Sequence, residues 1–469
     1  MSQKKEITVL SLALLLTLLL AGVGAWVVKE FVLNRAAETS TSSQTTTVNP
    51  IAKVAQISFG EKTLIPGQVT PAKQAGLDAI ATGKWNVAVA NLQQARKENR
   101  NDPETLIFLN NAEIADGKSY TIAVSVPLGT DPKGGLEILR GVAQAQNEIN
   151  HSGGINQVRL KVAIANDNNQ EDQAQQIANT LVNNTEILGV IGHWASQVTL
   201  ATAPVYNSGK LVAISPISTS VKLTGLSPYI FRTVPSDYVS ARALANYMIT
   251  TLKLKSAAVF FNSQSAYSQS LKSEFVTAVL LAGGRVIGEF DLSDPSFSAA
   301  SSINQALQKQ AQVLMLAANT STLDKALQVV QVNRRRLKLL GGDDIYAPTT
   351  LEVGGDAAQD MVVAVPWDID TLPQTEFVRE SKQLWGAEVN WRTALSYDAT
   401  RAFIAAIQSS PTRSGIQQAL SSPNFSITGA AGAVQFLPSG DRNAPVQLVK
   451  IVPNNVNTST GYDFVPVRQ

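Results

Sequence analysis

Few residues in this chain could do chemistry, and their spacing does not suit catalysis. Among 469 residues there is no cysteine and there are two histidines, His151 and His193. That removes thiolate nucleophiles, cysteine zinc sites, disulfides and any lipid anchored on a cysteine. The histidines do not stand at metal-ligand spacing, and each reads as structural. Gly117-Lys118-Ser119 looks like the end of a phosphate-binding loop, but Ala112 occupies the upstream glycine position and a strand follows. Asp167 to Asp172, DNNQED, alternates oxygen-bearing side chains as a calcium loop does. It lacks the central glycine and the closing glutamate, so it reads as a solvated loop. Arg334 to Arg336 lie near a predicted helix end, where cations suit the helix dipole. No Gly-x-Ser-x-Gly elbow occurs. These residues call for no enzyme activity, no cofactor and no metal. A net charge of +2 with no basic face gives no reason to expect nucleic acid.

Polar groups that bind rather than react need a scaffold, and the pattern from Ser119 onward supplies one. SYTIAVSVPL reads as a buried strand, GGLEILRGVAQAQNEIN as an amphipathic helix, VRLKVAIAND as a strand, and the alternation continues through ILGVIGH and LVAISP. The same grammar restarts at Lys255 with SAAVFFN, GGRVIGEFDL, AQVLMLAAN and LKLLGG. Alternating strands and helices of this kind predict α/β architecture with parallel, Rossmann-like sheets in two lobes. Ligands bind at the carboxyl ends of such strands, so two facing lobes would put two rims across one cleft.

The residues before Ser119 divide into three. Ile7 to Val28 is an apolar run long enough to cross a bilayer, preceded by Lys4 and Lys5. It is read as a membrane anchor over 1–34, with a cleaved signal peptide as the rival, and everything after it is expected on the extracytoplasmic side. Residues 35–71, opening RAAETSTSSQTTTVNP, are read as a flexible linker. Over 72–118 the residues Gly76, Gly83, Trp85, Ala88, Leu92 and Ala95 match tetratricopeptide spacing. The segment is expected to be helical, either a spacer hairpin or a small docking surface, with a further helix over PETLIFLNNAE.

VIGHWAS (190–196), ISPISTS (214–220), FRTVPSD (231–237), AYSQSL (266–271), LLGGDD (339–344), GDAAQDMVVAVP (355–366) and FLPSGD (436–441) follow one another in a characteristic order. In these the chain resembles the branched-chain amino-acid (Leu/Ile/Val)-binding family of periplasmic solute receptors, over roughly 119–469. The resemblance implies a type I periplasmic-binding-protein fold with three crossings between lobes, near Pro235, Pro366 and Pro438. Lobe one would be about 119–235 plus 367–437, and lobe two about 236–366 plus 438–469. It implies a receptor that closes on an amino acid or similar small polar solute and delivers it to an ABC permease. A tethered sensory ectodomain signalling through a partner protein is the alternative.

By the same resemblance, Ser196 and Thr219 would hold the ligand's polar head, helped by backbone groups of Ile217 and Ser218. Hydroxyls and amides at a helix start stabilise an anion without a buried countercharge. Asp343 would pair with the ligand ammonium, with Asp344 as the other acid in reach. Tyr267 would close from lobe two, Asn319 would lie on the same rim, and Trp194 would wall the side-chain pocket. One departure is plain: the loop TDPKGG carries glycines where family members often offer an aromatic.

Overall fold

The computed structural model describes residues 56–371, 373–454 and 460–468. The expected membrane anchor and the first part of the expected linker lie outside the described residues. Among the described residues no helix is long and apolar enough to cross a membrane.

The described part of the stretch read as linker is folded. Strand β1 (Ile57–Ser58) pairs antiparallel with the outermost parallel strand of the first sheet, and Ile57 is fully buried. Three helices follow: α1 (Pro71–Ala81), α2 (Trp85–Glu98) and α3 (Pro103–Ile114). Helices α1 and α2 pack as a hairpin in which Gly76 lets Leu92 approach; a Cβ on Gly76 would stand 2.7 Å from that side chain. Helix α3 is buried almost all round, which marks it as a core helix rather than a surface one. The segment is thus fixed to lobe one and does not stand off as a spacer.

Polar groups make that attachment specific. Asn111 of α3 lies against β3 (Arg159–Asn166), beyond the short reach of β1. There its amide donates to Val162 O at 2.8 Å and its Oδ1 accepts from Val162 N at 3.1 Å. One side chain thereby satisfies both backbone groups on an otherwise open strand edge. Glu104, fully buried, accepts from Thr63 Oγ1 and Leu64 N, each at 2.7 Å, and pairs with Lys73 Nζ at 2.7 Å.

Lobe one continues with β2 (Ser119–Val126), α4 (Pro132–His151), β3, α5 (Glu171–Asn183), β4 (Ile187–Ile191), α6 (Ser196–Ser208), β5 (Ala213–Ser215) and β6 (Ile230–Arg232). Its sheet order is β1-β3-β2-β4-β5-β6, parallel apart from β1. The order reverses at β2 and β4, where a crevice opens beyond the strand ends.

Lobe two is built from α7 (Asp237–Asn246), β7 (Ser256–Phe261), α8 (Ala266–Leu281), β8 (Arg285–Asp291), α9 (Ala299–Gln308), β9 (Val313–Ala317), α10 (Leu323–Asn333), β10 (Lys338–Gly341), α11 (Pro348–Gly354) and β11 (Val362–Val365). The chain then returns to lobe one with α12 (Glu376–Trp385), α13 (Trp391–Ser409), α14 (Arg413–Leu420) and the ribbon β12 (Ile427–Gly429) and β13 (Gly432–Val434). It ends in lobe two with β14 (Gln447–Pro453) and β15 (Tyr462–Pro466). The second sheet runs β15-β14-β11-β10-β9-β7-β8, with β14 and β15 antiparallel and the remainder parallel. Its reversal falls between β7 and β9.

The chain therefore passes between the sheets three times, after β6, after β11 and before β14. Buried charges tie these passages together. Arg232 Nε meets Asp441 Oδ1 at 2.7 Å, and its Nη1 donates to Ser220 O at 2.9 Å. Arg442 Nη1 meets Asp398 Oδ2 at 2.7 Å and also donates to Thr233 O. Two motifs far apart in sequence, FRTVPSD and FLPSGD, are thus joined at the hinge.

Candidate functional site

Both switch points open onto one cavity of about 360 Å³. Lobe one gives it Thr130 and Asp131 after β2, Asn169 after β3, Trp194 to Gln197 after β4, and Ile217 after β5. Lobe two gives it Ser265 and Tyr267 after β7, Asn319 to Ser321 after β9, and Asp343 and Asp344 after β10. Every lining residue follows the carboxyl end of a strand.

The β4 loop is held from beneath by a buried chain of hydrogen bonds. His193 Nδ1 meets Asp167 Oδ2 at 2.6 Å and its Nε2 meets Tyr206 Oη at 2.9 Å, while Ser125 Oγ donates to Asp167 Oδ2 at 2.9 Å. The reading of His193 as structural fits this position. Its carbonyl accepts from Ser215 Oγ at 2.8 Å, which ties the β4 loop to the β5 loop. Ser196 then opens α6 at the cavity wall, its hydroxyl accepting from Ser220 N at 3.2 Å. The first-turn amides of a helix lack intrahelical partners, so this end of the cavity suits an anion.

Trp194 accounts for the first glycine of TDPKGG, and Leu128 lies against the second. A Cβ on Gly134 would stand 2.5 Å from the indole ring. The aromatic absent from the β2 loop is supplied from the β4 loop, and Gly134 makes room for it. Arg392 of α13 lies over the same indole, its guanidinium 5.3 Å from the ring centroid.

On the lobe-two side, Tyr267 Oη donates to Asp343 Oδ1 at 2.6 Å. Asp344 is already occupied: Oδ1 accepts from Arg392 Nη2 at 3.2 Å and Oδ2 from Thr320 N at 3.2 Å. Of the two adjacent acids, Asp343 is the one without a cation. Burial, reinforced by the Asp344 charge, pushes its carboxyl well above the usual carboxylate range, against the Tyr267 hydrogen bond and Arg392. Burial also raises Asp344, opposed chiefly by Arg392.

Six of the residues singled out in the sequence meet at the cavity: Trp194, Ser196, Ile217, Tyr267, Asn319 and Asp343. Ser218 and Thr219 lie behind its wall. The Ser218 hydroxyl is engaged with Thr199 Oγ1 at 2.8 Å and with Trp194 O at 3.1 Å. The backbone amides of Ile217 and Ser218 both donate to Ser215 Oγ, at 3.3 and 2.9 Å. Thr219 is buried beside Asp237, whose amide donates to Thr219 O at 2.9 Å. The wall also includes Thr130, Asp131 and Asn169, which motif order alone did not mark. Their signal was topological: they end β2 and β3 at the reversal of strand order. Among the described residues no group of acids and histidines is arranged to hold a metal ion.

Two α/β lobes with a polar cavity between their strand ends define a ligand-binding receptor fold. The family model described as periplasmic binding protein matches residues 119–455, and the chain belongs to that family. An amino acid binding protein of Pseudomonas aeruginosa is 34% identical over 170 residues, which cover 36% of this chain and 44% of the relative. The leucine-specific-binding protein of Salmonella typhimurium is 27% identical over 243 residues, covering 51% of this chain and 65% of the relative. The chain thus spans less than two thirds of the length of either. Among solved structures, an ABC transporter substrate-binding protein from Desulfitobacterium hafniense in complex with Leu superposes with a TM-score of 0.62 at 22% identity. That match covers 74% of this chain and 100% of the other.

Proposed function

We propose that the chain is an extracytoplasmic solute receptor that closes its lobes on an amino acid or a similar small amine-bearing solute and hands it to an ABC permease. One observation carries the reading: a buried carboxylate without a cation, Asp343 from lobe two, lines the same cavity as the α6 start at Ser196 from lobe one. An anion-favouring end and a cation-favouring end fit the two charges of an amino acid. The names of the relatives point to the same solute class. Ser196 and the α6 amides would take the carboxylate, Asp343 the ammonium, and Tyr267 and Asn319 would close the far side.

The anchor over Ile7–Val28 belongs to this proposal. Reporter fusions after Val28 are expected to be active only outside the cytoplasm, and cytoplasmic activity would refute the topology. A second reading has its own support: the helices α1 to α3 lie outside the family match and are fixed to lobe one, where a signalling partner could sense ligand. Mass spectrometry of small molecules released from the purified, denatured chain tests the main reading. An amine-bearing solute near one per chain is expected. A cavity that yields none, together with no heat from a panel of amino acids, would reject it.

A further inference from the structure

The cavity wall has an unbalanced charge that a branched-chain amino acid would leave unbalanced. Among the described residues three acidic side chains line it, Asp131, Asp343 and Asp344, and no lysine, arginine or histidine does. Arg392, behind the wall, compensates Asp344 at 3.2 Å. A zwitterionic ligand brings one ammonium for Asp343 and one carboxylate for the α6 end. Asp131 is then left with no counter-charge. Lys133, two residues on, is exposed and not part of the wall.

Asp131 is held in place at the cavity wall. Its Oδ1 is fixed by Gly134 N at 3.0 Å. Its Oδ2 and the Cη2 edge of the Trp194 ring lie 2.6 and 2.5 Å from where a Cβ on Gly134 would stand, so the two flank that glycine at the wall. A cation held by Asp131 would therefore lie near the indole edge, while the ring itself has the Arg392 guanidinium over it at 5.3 Å. A second member of the same wall also points to a ligand. Asp343 is 6% exposed, lines the cavity, and has the Tyr267 hydroxyl as its partner but no cation. The apolar members of the wall are Trp194, Ala195, Ile217 and the Tyr267 ring. Small-molecule pockets are generally lined mostly by apolar side chains, and a leucyl side chain needs such a lining.

We infer that the solute carries a second positive charge on its side chain: the site is built for a basic amino acid, with Asp343 on the α-ammonium and Asp131 with Trp194 on the distal cation. This inference rests on the amino-acid receptor reading and narrows it. Asp131 also caps α4, and that structural role is separable, because asparagine caps a helix as well as aspartate does. Asp131→Asn therefore removes the charge and keeps the cap.

The test is isothermal titration of the full chain with L-lysine, L-arginine, L-leucine and L-glutamate, for wild type and Asp131→Asn. Lysine or arginine is expected to bind at least tenfold more tightly than leucine. Asp131→Asn is expected to weaken the basic ligand at least tenfold and to leave leucine within about twofold. Tighter binding of leucine or glutamate, or a basic-to-leucine ratio unmoved in Asp131→Asn, would overturn the inference and leave the receptor reading intact. Binding of none of the four would count against both.

Discussion

A carboxyl shut away from water keeps its proton to higher pH than one in solution, and a nearby cation reverses this. Asp237 and Asp343 are both in that position. Burial, with the Asp343 charge among the further causes, pushes Asp237 up to about 7, and Asp343 is raised by burial and by Asp344. Without ligand, the folded chain holds protons between about pH 4 and 7 that the unfolded chain has released. Stability from these groups is therefore present at low pH and lost as pH rises toward 7. Thermal melts without ligand should show a falling midpoint across that window, and a flat profile would count against a buried, uncompensated pair. Binding has the opposite slope. An ammonium needs ionised Asp343, so affinity should rise with pH through the neutral range and then level. Asp343→Asn should remove most of that dependence and weaken binding about a hundredfold or more, as expected for a buried charge left without its partner. Asp343 was legible through the family resemblance, which puts an acid just after the strand in LLGGDD. Asp131 was not, since an Asp-Pro pair at a helix start reads first as a cap.

Strand and helix alternation declared most elements in advance, because parallel strands buried on both faces leave long apolar runs such as VLMLA and VVAV. The role of α3 could not be read that way. Asn111 and Glu104 look like surface residues in PETLIFLNNAE, yet Asn111 completes the edge of β3 and Glu104 is fully buried. Side-chain bonds to a sheet edge depend on tertiary placement and leave no periodic trace. The helical segment is consequently part of the structure of lobe one. Asn111→Ala would leave Val162 N and O buried without partners, at about 1–3 kcal/mol for each group. Urea unfolding of the full chain should report a loss of at least about 2 kcal/mol. A loss under about 0.5 kcal/mol would mean that the β3 edge is satisfied in some other way.

Two-lobed receptors work by changing the separation of their lobes, so the contacts crossing the cleft set the cost of opening. Among the described residues, three bonds that cross away from the hinge stand out. Val221 N in lobe one donates to Ser270 Oγ in lobe two at 3.0 Å, and Arg392 in lobe one meets Asp344 Oδ1 and Tyr346 O in lobe two, each at 3.2 Å. The Arg392 contact is the stronger, being charged and mostly buried, with side-chain exposures of 7% and 12% for Arg392 and Asp344. It also lies against Trp391 and Trp194, 4.3 and 5.3 Å from their ring centroids, so the clasp is joined to the cavity wall. Arg392→Met keeps most of that apolar packing and removes the charge. It should shift the unliganded chain toward open forms, visible as a larger radius of gyration in small-angle scattering. Ligand would then have to close a more open population, and apparent affinity should fall by the closed fraction lost, roughly two- to tenfold. The liganded forms of wild type and variant should scatter alike, because ligand contacts hold both shut. Identical scattering without ligand, with affinity unchanged, would show that the Arg392–Asp344 pair serves only to neutralise Asp344 and that closure is governed at the hinge, where Arg232 meets Asp441.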